Sequence, residues 1–316
     1  MRFLRANRHS GVFEGTLSCY DIGEAKRGSD VGSAPTTSMA TMFQSMLRKS
    51  ILFSILLTLP SLGLAAELQP ETVKAWERYI ALTEQRIASE IESKEGFVVG
   101  DFFEATEKSE FRRAVTAGEV FIQKLETLNE EGKKIDVPKG MIHHWYGAIF
   151  VPGVELDEVL EWVKDYSDRH LHYEEVEDSK LLSREGEVYR IFLRLKRKKV
   201  ITVHYDSEHV VTYRSLDGNK AVAESYATKI AELEEPGTPR EREKKPGQDR
   251  GFLWRLNSYW RYHQADGGVL VDCESVSLSR GVPLGMTWLV RSYLNSVPKE
   301  SLEKTLKPLR QELTNP

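Results

Sequence analysis

The sequence predicts an α+β fold in which an antiparallel sheet ends in one long helix. Two strand-like runs, residues 252–263 and 268–279, meet at the turn signal Asp266-Gly267-Gly268. A strongly apolar segment follows from residue 282, and beyond Pro298 it continues as one helical stripe of Leu302, Leu306, Leu309 and Leu313. The strands are grouped and do not alternate with helices, which is typical of this fold class. Such a sheet is expected to wrap around the helix and enclose an apolar cavity.

Residues 46–66 have the pattern of a secretory signal peptide. The charged start Met46-Leu47-Arg48-Lys49 precedes a mostly apolar run at 51–64, and small residues follow where a signal peptidase cuts. The run is short for a bilayer span, which needs ~20 apolar residues; a buried helix or short anchor is the alternative. Residues 1–45 lack periodicity, so we expect either a start at Met46 (or Met39 or Met42) or a disordered extension. The prediction is an exported protein, periplasmic or extracellular.

Residues 67–117 are predicted to form an N-terminal helical arm, and residues 118–316 the main domain. Pro70 suits the first turn of a helix over 68–93, and a second helix is expected at 102–116. The main domain should contain a helix at 155–166 and an irregular stretch at 169–177. The strands preceding the final hairpin are expected at 118–128, 141–151, 187–196, 200–206, 209–216 and 220–233. Pro308 is expected to bend or interrupt the last helix.

Composition excludes some functions. The chain carries 44 Lys and Arg against 48 Asp and Glu, a net charge of −4; nucleic-acid binding, which depends on basic surface, is therefore not expected. Beyond the leader Cys273 is the single cysteine, so that part can form no internal disulfide. It is interpreted as a buried thiol, with a catalytic nucleophile as the alternative. The charged segment 232–250 should be a mobile loop, either solvated or acting as a lid.

Four segments carry a family resemblance: residues 140–153 (GMIHHWYGAIFVPG), 198–205 (KKVITVHY), 251–262 (GFLWRLNSYWRY) and 273–290 (CESVSLSRGVPLGMTWLV). They resemble exported bacterial proteins of the START-like, or SRPBCC, superfamily, over roughly residues 118–313. The resemblance implies a helix-grip fold, in which a curved antiparallel sheet embraces the final helix around a hydrophobic ligand cavity. It identifies no ligand.

Strand alternation supplies the candidate ligand-binding residues, because alternate side chains share a face. The predicted apolar lining is Tyr189, Ile191, Leu193, Val203, Tyr205, Trp254, Leu256, Trp260 and Trp288. The alternative is that these side chains simply fill the core. Glu224 and Glu274 share faces with apolar neighbours, and a buried carboxylate is costly unless paired. Each is interpreted as a polar anchor for a ligand headgroup, with Arg255 and Tyr259 as candidate partners; the alternative is a structural ion pair or a solvent-facing position.

No catalytic residue, metal or cofactor is predicted. His143 and His144 point to opposite faces of a strand, and His170 and His172 have no third ligand at a recognisable spacing. The basic run at 194–199 is interpreted as a solvated turn, with contact to anionic lipid headgroups as the alternative.

Three functions follow from these observations. The first is an exported carrier for a hydrophobic small molecule or lipid, with transient contact to a membrane surface. The second is a cyclase- or hydratase-type enzyme that uses the same cavity. The third is a structural or interaction module of the cell envelope with a filled core. Oligomeric state stays open.

Overall fold

The computed structural model describes residues 67–198, 201–281 and 287–314; within the last range, the side chains of 287–295, 297 and 298 lie outside the description. The predicted signal segment also lies outside it. The helices are α1 (Pro70–Ile91), α2 (Ala105–Thr116), α3 (Leu156–Lys164), α4 (Arg169–His172) and α5 (Thr287–Thr314). The strands are β1 (Phe121–Lys124), β2 (Gly140–Pro152), β3 (Val176–Glu185), β4 (Val188–Lys198), β5 (Thr202–Asp217), β6 (Lys220–Glu234), β7 (Arg242–Glu243), β8 (Arg255–Ala265) and β9 (Gly268–Arg280).

The nine strands form one curved, unclosed antiparallel sheet in the order β1-β2-β9-β8-β6-β5-β4-β3, with β7 added to β6. The expected α+β, helix-grip architecture is thereby confirmed. The turn at Asp266-Gly267 joins β8 to β9, as predicted, and Gly267 adopts a φ of 79°, which glycine tolerates without a steric penalty. None of the helices in the described ranges is long and apolar enough to cross a lipid bilayer.

Both faces of this sheet are covered by helices. We call the side that packs on Leu302, Leu306 and Leu309 of α5 the inner face. We call the opposite side, which packs on α1 and α2, the outer face. Trp76, Tyr79, Ile80 and Ile87 of α1 repeat at helical spacing and are buried against this outer face. The predicted helical arm therefore lies on the sheet.

Three elements differ from the sequence prediction. The two strands expected at 200–206 and 209–216 are one strand, β5, because a register shift at Glu208/His209 absorbs the break in the pattern. The edge strand β3 was missed, since most of its side chains are exposed and its burial does not alternate. Helix α5 runs through Pro308 without interruption, so of the two predicted effects of this proline the break is wrong and the bend stays a prediction.

The loop at 232–250 is held to the sheet. Glu232 is buried, and its carboxylate accepts hydrogen bonds from Lys244 Nζ at 2.6 Å, Arg250 Nη1 at 2.6 Å and the Arg250 backbone N–H at 2.9 Å. The short strand β7 also pairs with the end of β6.

Candidate ligand cavity

A cavity of about 350 Å³ lies between the inner face and helix α5. Alternate residues of three strands form most of its wall, as strand geometry requires. The apolar wall consists of Ile191, Leu193 and Leu195 of β4, Val203, Tyr205, Val211 and Tyr213 of β5, Leu256, Trp260 and Tyr262 of β8, and Leu302 and Leu309 of α5.

Six of the predicted ligand-binding residues lie on this wall: Ile191, Leu193, Val203, Tyr205, Leu256 and Trp260. Tyr189 lies beyond it, buried on the inner side against the rings of Tyr166 and Tyr213. Trp288 belongs to α5, but its side chain lies outside the described part of the structure.

Three predicted positions lie on the other side of the sheet, which corrects the expectation that they face the cavity. Trp254 packs on the outer face with the apolar side chains of α1. Glu224 accepts a hydrogen bond from the Tyr226 hydroxyl at 2.9 Å, and Glu274 is bound to Arg86 of α1. For Glu224 and Glu274 the physical reason is that helices cover both faces, so an apolar neighbour does not identify the cavity side. Trp254 precedes Arg255, the first residue of β8, so the alternation that places Leu256 and Trp260 on the wall does not extend to it.

Glu274 belongs to a buried ionic network on the outer face. Its carboxylate accepts hydrogen bonds from Arg86 Nη2 at 2.5 Å and Arg261 Nη2 at 3.4 Å. Glu90 Oε2 accepts from Arg261 Nη2 at 2.6 Å, and both oxygens of Glu90 accept from Arg86 Nη1 at 2.9 Å. Burial would raise the pKa of Glu274, but Arg86, His144 and Arg261 together lower it. Of its interpretations, the structure supports the ion pair.

Two neutral groups complete this network. His144 Nε2 lies 2.9 Å from Glu274 Oε2, and its Nδ1 lies 3.0 Å from the Tyr79 hydroxyl. Burial lowers the pKa of His144, so the imidazole is neutral, donates from Nε2 to the carboxylate and accepts at Nδ1. The expected partners were wrong: Arg255 donates to the Trp254 carbonyl, and the Tyr259 hydroxyl donates to Glu84.

A row of hydroxyl groups crosses the cavity floor. Ser225 of β6 pairs with Ser258 of β8, and Ser258 pairs with Ser275 of β9, so the three side chains lie side by side. All three line the cavity. Within the described ranges, none of these hydroxyls forms a hydrogen bond with another protein group. They are available to a ligand or to water.

Two reactive side chains on the wall are held in neutral form. Burial lowers the pKa of His143 to about 4, with Lys124 acting in the same direction, and its Nε2 lies 2.9 Å from Ser279 Oγ. Burial raises the pKa of the Cys273 thiol well above its usual range. A thiol that stays protonated is a poor nucleophile, which favours the interpretation of Cys273 as a buried core thiol.

Three basic residues of the run at 194–199, namely Arg194, Lys196 and Arg197, are paired with acidic groups, and Lys198 is exposed. Arg194 pairs with Asp206 at 2.7 Å and with Glu241 at 2.9 Å. Arg197, on the cavity rim, pairs with Glu175 at 2.7 Å, and Lys199 lies outside the described residues. Among the described residues, no group of three or more His, Cys, Asp or Glu is placed to hold a metal ion.

Several solved structures are similar to this chain. A STAR-related lipid transfer protein from Xanthomonas axonopodis is 19% identical, with 61% of this chain and 94% of that chain covered and a TM-score of 0.42. Human STARD10 is 11% identical over 69% of this chain and 83% of its own, with a TM-score of 0.40. The ZhuI aromatase/cyclase from Streptomyces sp. R1128 is 12% identical over 55% and 94%, with a TM-score of 0.38.

No family model and no curated protein matches this chain. The described residues have a helix-grip fold, which follows from their own topology: a curved antiparallel sheet whose inner face packs on the C-terminal helix.

Proposed function

We propose that this protein is an exported carrier that binds a hydrophobic, lipid-like molecule in the cavity of the inner face. The single observation that carries the proposal is the cavity itself, about 350 Å³ of space with a mostly apolar wall. Ligand pockets for small molecules begin at ~300 Å³ and are lined mainly by apolar side chains with a few polar groups. The serine row supplies such polar groups.

The energetics suit a ligand with a hydrocarbon body. Each buried CH₂ group contributes ~0.8 kcal/mol, so twelve of them contribute about 10 kcal/mol. Association costs roughly 4–15 kcal/mol in lost freedom. The two terms are of similar size, so useful affinity requires a cavity that is already formed and polar contacts that orient the ligand.

Export and transient membrane contact are parts of this proposal that rest on the sequence. The pattern at 46–66 supports export. Cell fractionation of the full chain checks it: the protein should reach the periplasm or the medium in a form that lacks this segment. Full-length protein in the cytosol would contradict export and leave the cavity argument untouched.

The test of ligand binding uses a matched pair of variants. Ser258→Phe places a ring into the cavity, whereas Thr228→Phe places the same ring at an exposed position of β6. Full chain purified from its host should show a co-purified hydrophobic molecule by native mass spectrometry and lipid extraction. We expect Ser258→Phe to lose this ligand and Thr228→Phe to keep it, with both circular dichroism spectra unchanged.

Two outcomes would contradict the carrier. One is that the wild-type protein carries nothing and also fails to bind a fluorescent fatty acid. The other is that Ser258→Phe binds as well as wild type, which would favour a structural module with no functional cavity. The enzyme alternative would use a cavity Glu, Tyr or His as acid–base. It has less support, because Glu175, the one carboxylate of the described cavity wall, is paired with Arg197, and burial lowers the pKa of His143 and of His209 to about 4.

A further inference from the structure

One buried cation on the cavity wall has no acidic partner among the described residues. Arg169 begins the short helix α4, its side chain is only 6% exposed, and it lines the cavity together with Tyr166 and Tyr173. No sequence pattern singles it out, because it stands in a stretch without strand or helix periodicity. Its burial without an acidic partner among the described residues is visible only in the structure.

The side chain of Arg169 contacts one carbonyl, three aromatic rings and the hydroxyl of Tyr173. Nη2 donates to the Trp162 carbonyl oxygen at 2.7 Å. The guanidinium carbon lies 4.6 Å from the centre of the Trp162 ring, 5.3 Å from that of Tyr166 and 5.7 Å from that of Tyr173. These rings hold the planar group in one orientation.

The other two deeply buried arginines provide the contrast. Arg86 and Arg261 each form ion pairs with both Glu90 and Glu274. Within the described ranges, Arg169 forms no ion pair. Its carboxylate neighbour Asp165 is mostly solvent-exposed; its pKa is lowered mainly by the Ser167 backbone N–H and only to a lesser extent by Arg169.

A buried charge without a counter-ion is costly, and a guanidinium has five N–H donors in a planar fork. Aromatic faces offset part of the desolvation but accept none of those hydrogen bonds well. The partner that matches the fork is a carboxylate or a phosphate, which it binds through two parallel hydrogen bonds. The lining of the same cavity includes apolar side chains such as Val163 and Ile191.

We propose that Arg169 binds the anionic end of the ligand, so that the cavity takes amphiphiles with a long apolar body and a terminal carboxylate or phosphate. This inference rests on the proposed carrier function and adds to it the class of ligand. The rival interpretation is that Arg169 only ties α4 to the end of α3 through the Trp162 carbonyl. A purely structural arginine would not distinguish ligands by the charge of their head.

The experiment compares ligands that differ only at the head. Hexadecanoate, hexadecyl phosphate and hexadecanol displace a neutral fluorescent probe from the full chain, below the aggregation concentration of each. For the wild-type protein we expect either or both anions to bind about 10- to 100-fold more tightly than the alcohol, the range of a charge-assisted contact. Inorganic phosphate and acetate at the same concentrations should not compete, which separates a lipid headgroup from a free anion.

Variants locate the effect. Arg169→Gln should reduce the preference for the anion to less than about threefold and keep the affinity for hexadecanol, whereas Arg169→Lys should retain part of the preference. The matched control is Arg214→Gln, an exposed arginine of β5 that does not line the cavity; it should keep the full preference. Thermal unfolding followed by circular dichroism checks that each variant is folded.

Each outcome either supports or contradicts the proposed role of Arg169. Equal affinity of acid, phosphate and alcohol in the wild-type protein overturns the role of Arg169 and leaves the carrier intact; this comparison needs no variant. A preference that survives in Arg169→Gln also overturns it. If none of the three ligands displaces the probe and lipid extraction is also empty, the carrier function itself fails, and the role of Arg169 fails with it.

Discussion

Replacing Glu274 by glutamine should destabilise the fold and leave the cavity unaffected. The carboxylate is 1% exposed and compensates Arg86 and Arg261 together with Glu90. Without its charge, two guanidinium groups share one carboxylate in a buried site. In addition, the new amide must place its NH₂ either toward Arg86 and His144 or toward Arg261, all of which are donors there.

The magnitude follows from the burial of the network. Removing one partner of a buried ion pair costs ~3–5 kcal/mol. For a chain of this size each kcal/mol lowers Tm by ~2–4 °C, so Glu274→Gln should lower Tm by roughly 6–20 °C. Urea unfolding followed by far-UV circular dichroism measures the free energy, and displacement of a fluorescent fatty acid measures ligand affinity, which should change less than about threefold.

Two further variants make the test specific. Glu77→Gln, an exposed glutamate of the same helix α1, should change stability by less than ~0.5 kcal/mol. The double variant Arg86→Met/Glu274→Leu removes one charge of each sign and leaves Glu90 paired with Arg261. It should recover most of the lost stability, because apolar groups of similar volume replace buried ion pairs at little cost.

A result in the opposite direction would refute this reasoning. If Glu274→Gln kept the stability of the wild-type protein and lost ligand binding, Glu274 would act on the inner face, as a headgroup anchor. The placement of β9 relative to α1 would then be wrong.

Two other predictions concern the same sheet. Burial raises the pKa of Asp272 to about 7, against ~3.9 unfolded. Between these pH values the folded state therefore binds a proton that the unfolded state has lost, and the free energy of unfolding falls as pH rises from about 4 to 7. Asp272→Asn should flatten this pH dependence, measured by urea unfolding, and should add up to about 4 kcal/mol to the free energy of unfolding at pH 8. An unchanged dependence of stability on pH would contradict the prediction. A Cβ at Gly147 would lie 2.7 Å from Leu302 and 2.8 Å from Leu306. Gly147→Ala should therefore lower the free energy of unfolding by ~1–3 kcal/mol, measured by thermal unfolding. The control Gly218→Ala, where a Cβ meets nothing within 4 Å, should keep the stability of the wild-type protein.

The elements with strong local signals were predictable from the sequence. The final hairpin has a glycine turn between two apolar runs, and α1 has a proline in its first turn and an apolar stripe. The edge strand β3 has neither, because one of its sides has no neighbouring strand and most of its side chains face solvent. The continuity of β5 depends on a bulge, which a pattern of alternation cannot reveal.

The candidate site was predictable only up to the choice of face. Alternation correctly grouped Leu256 with Trp260, but it could not say which side of the sheet holds the cavity. Trp254 and Glu274 lie on the side that α1 covers, and the partner of Glu274, Arg86, stands 188 residues away in the chain. Such a pairing leaves no trace in local periodicity. Arg169 was also missed, because it stands out by lacking an ionic partner among the described residues, and only the three-dimensional structure shows this.

The two faces of the sheet differ in how their buried ionic groups are paired, and this difference supports a ligand on the inner face. On the outer face, Arg86, Arg261, Glu90 and Glu274 pair with one another, and His144 takes up a further carboxylate lone pair. Buried polar groups are nearly always satisfied in this way. On the inner face, the hydroxyls of Ser225, Ser258 and Ser275 and most donors of Arg169 have no protein partner within the described ranges. The ionic groups of the outer face are therefore paired with one another, although Arg86 Nε, Tyr146 Oη and Asp272 Oδ1 have no hydrogen-bond partner within the described ranges. Arg169 on the inner face has no ionic partner among the described residues, and a bound anion would supply one.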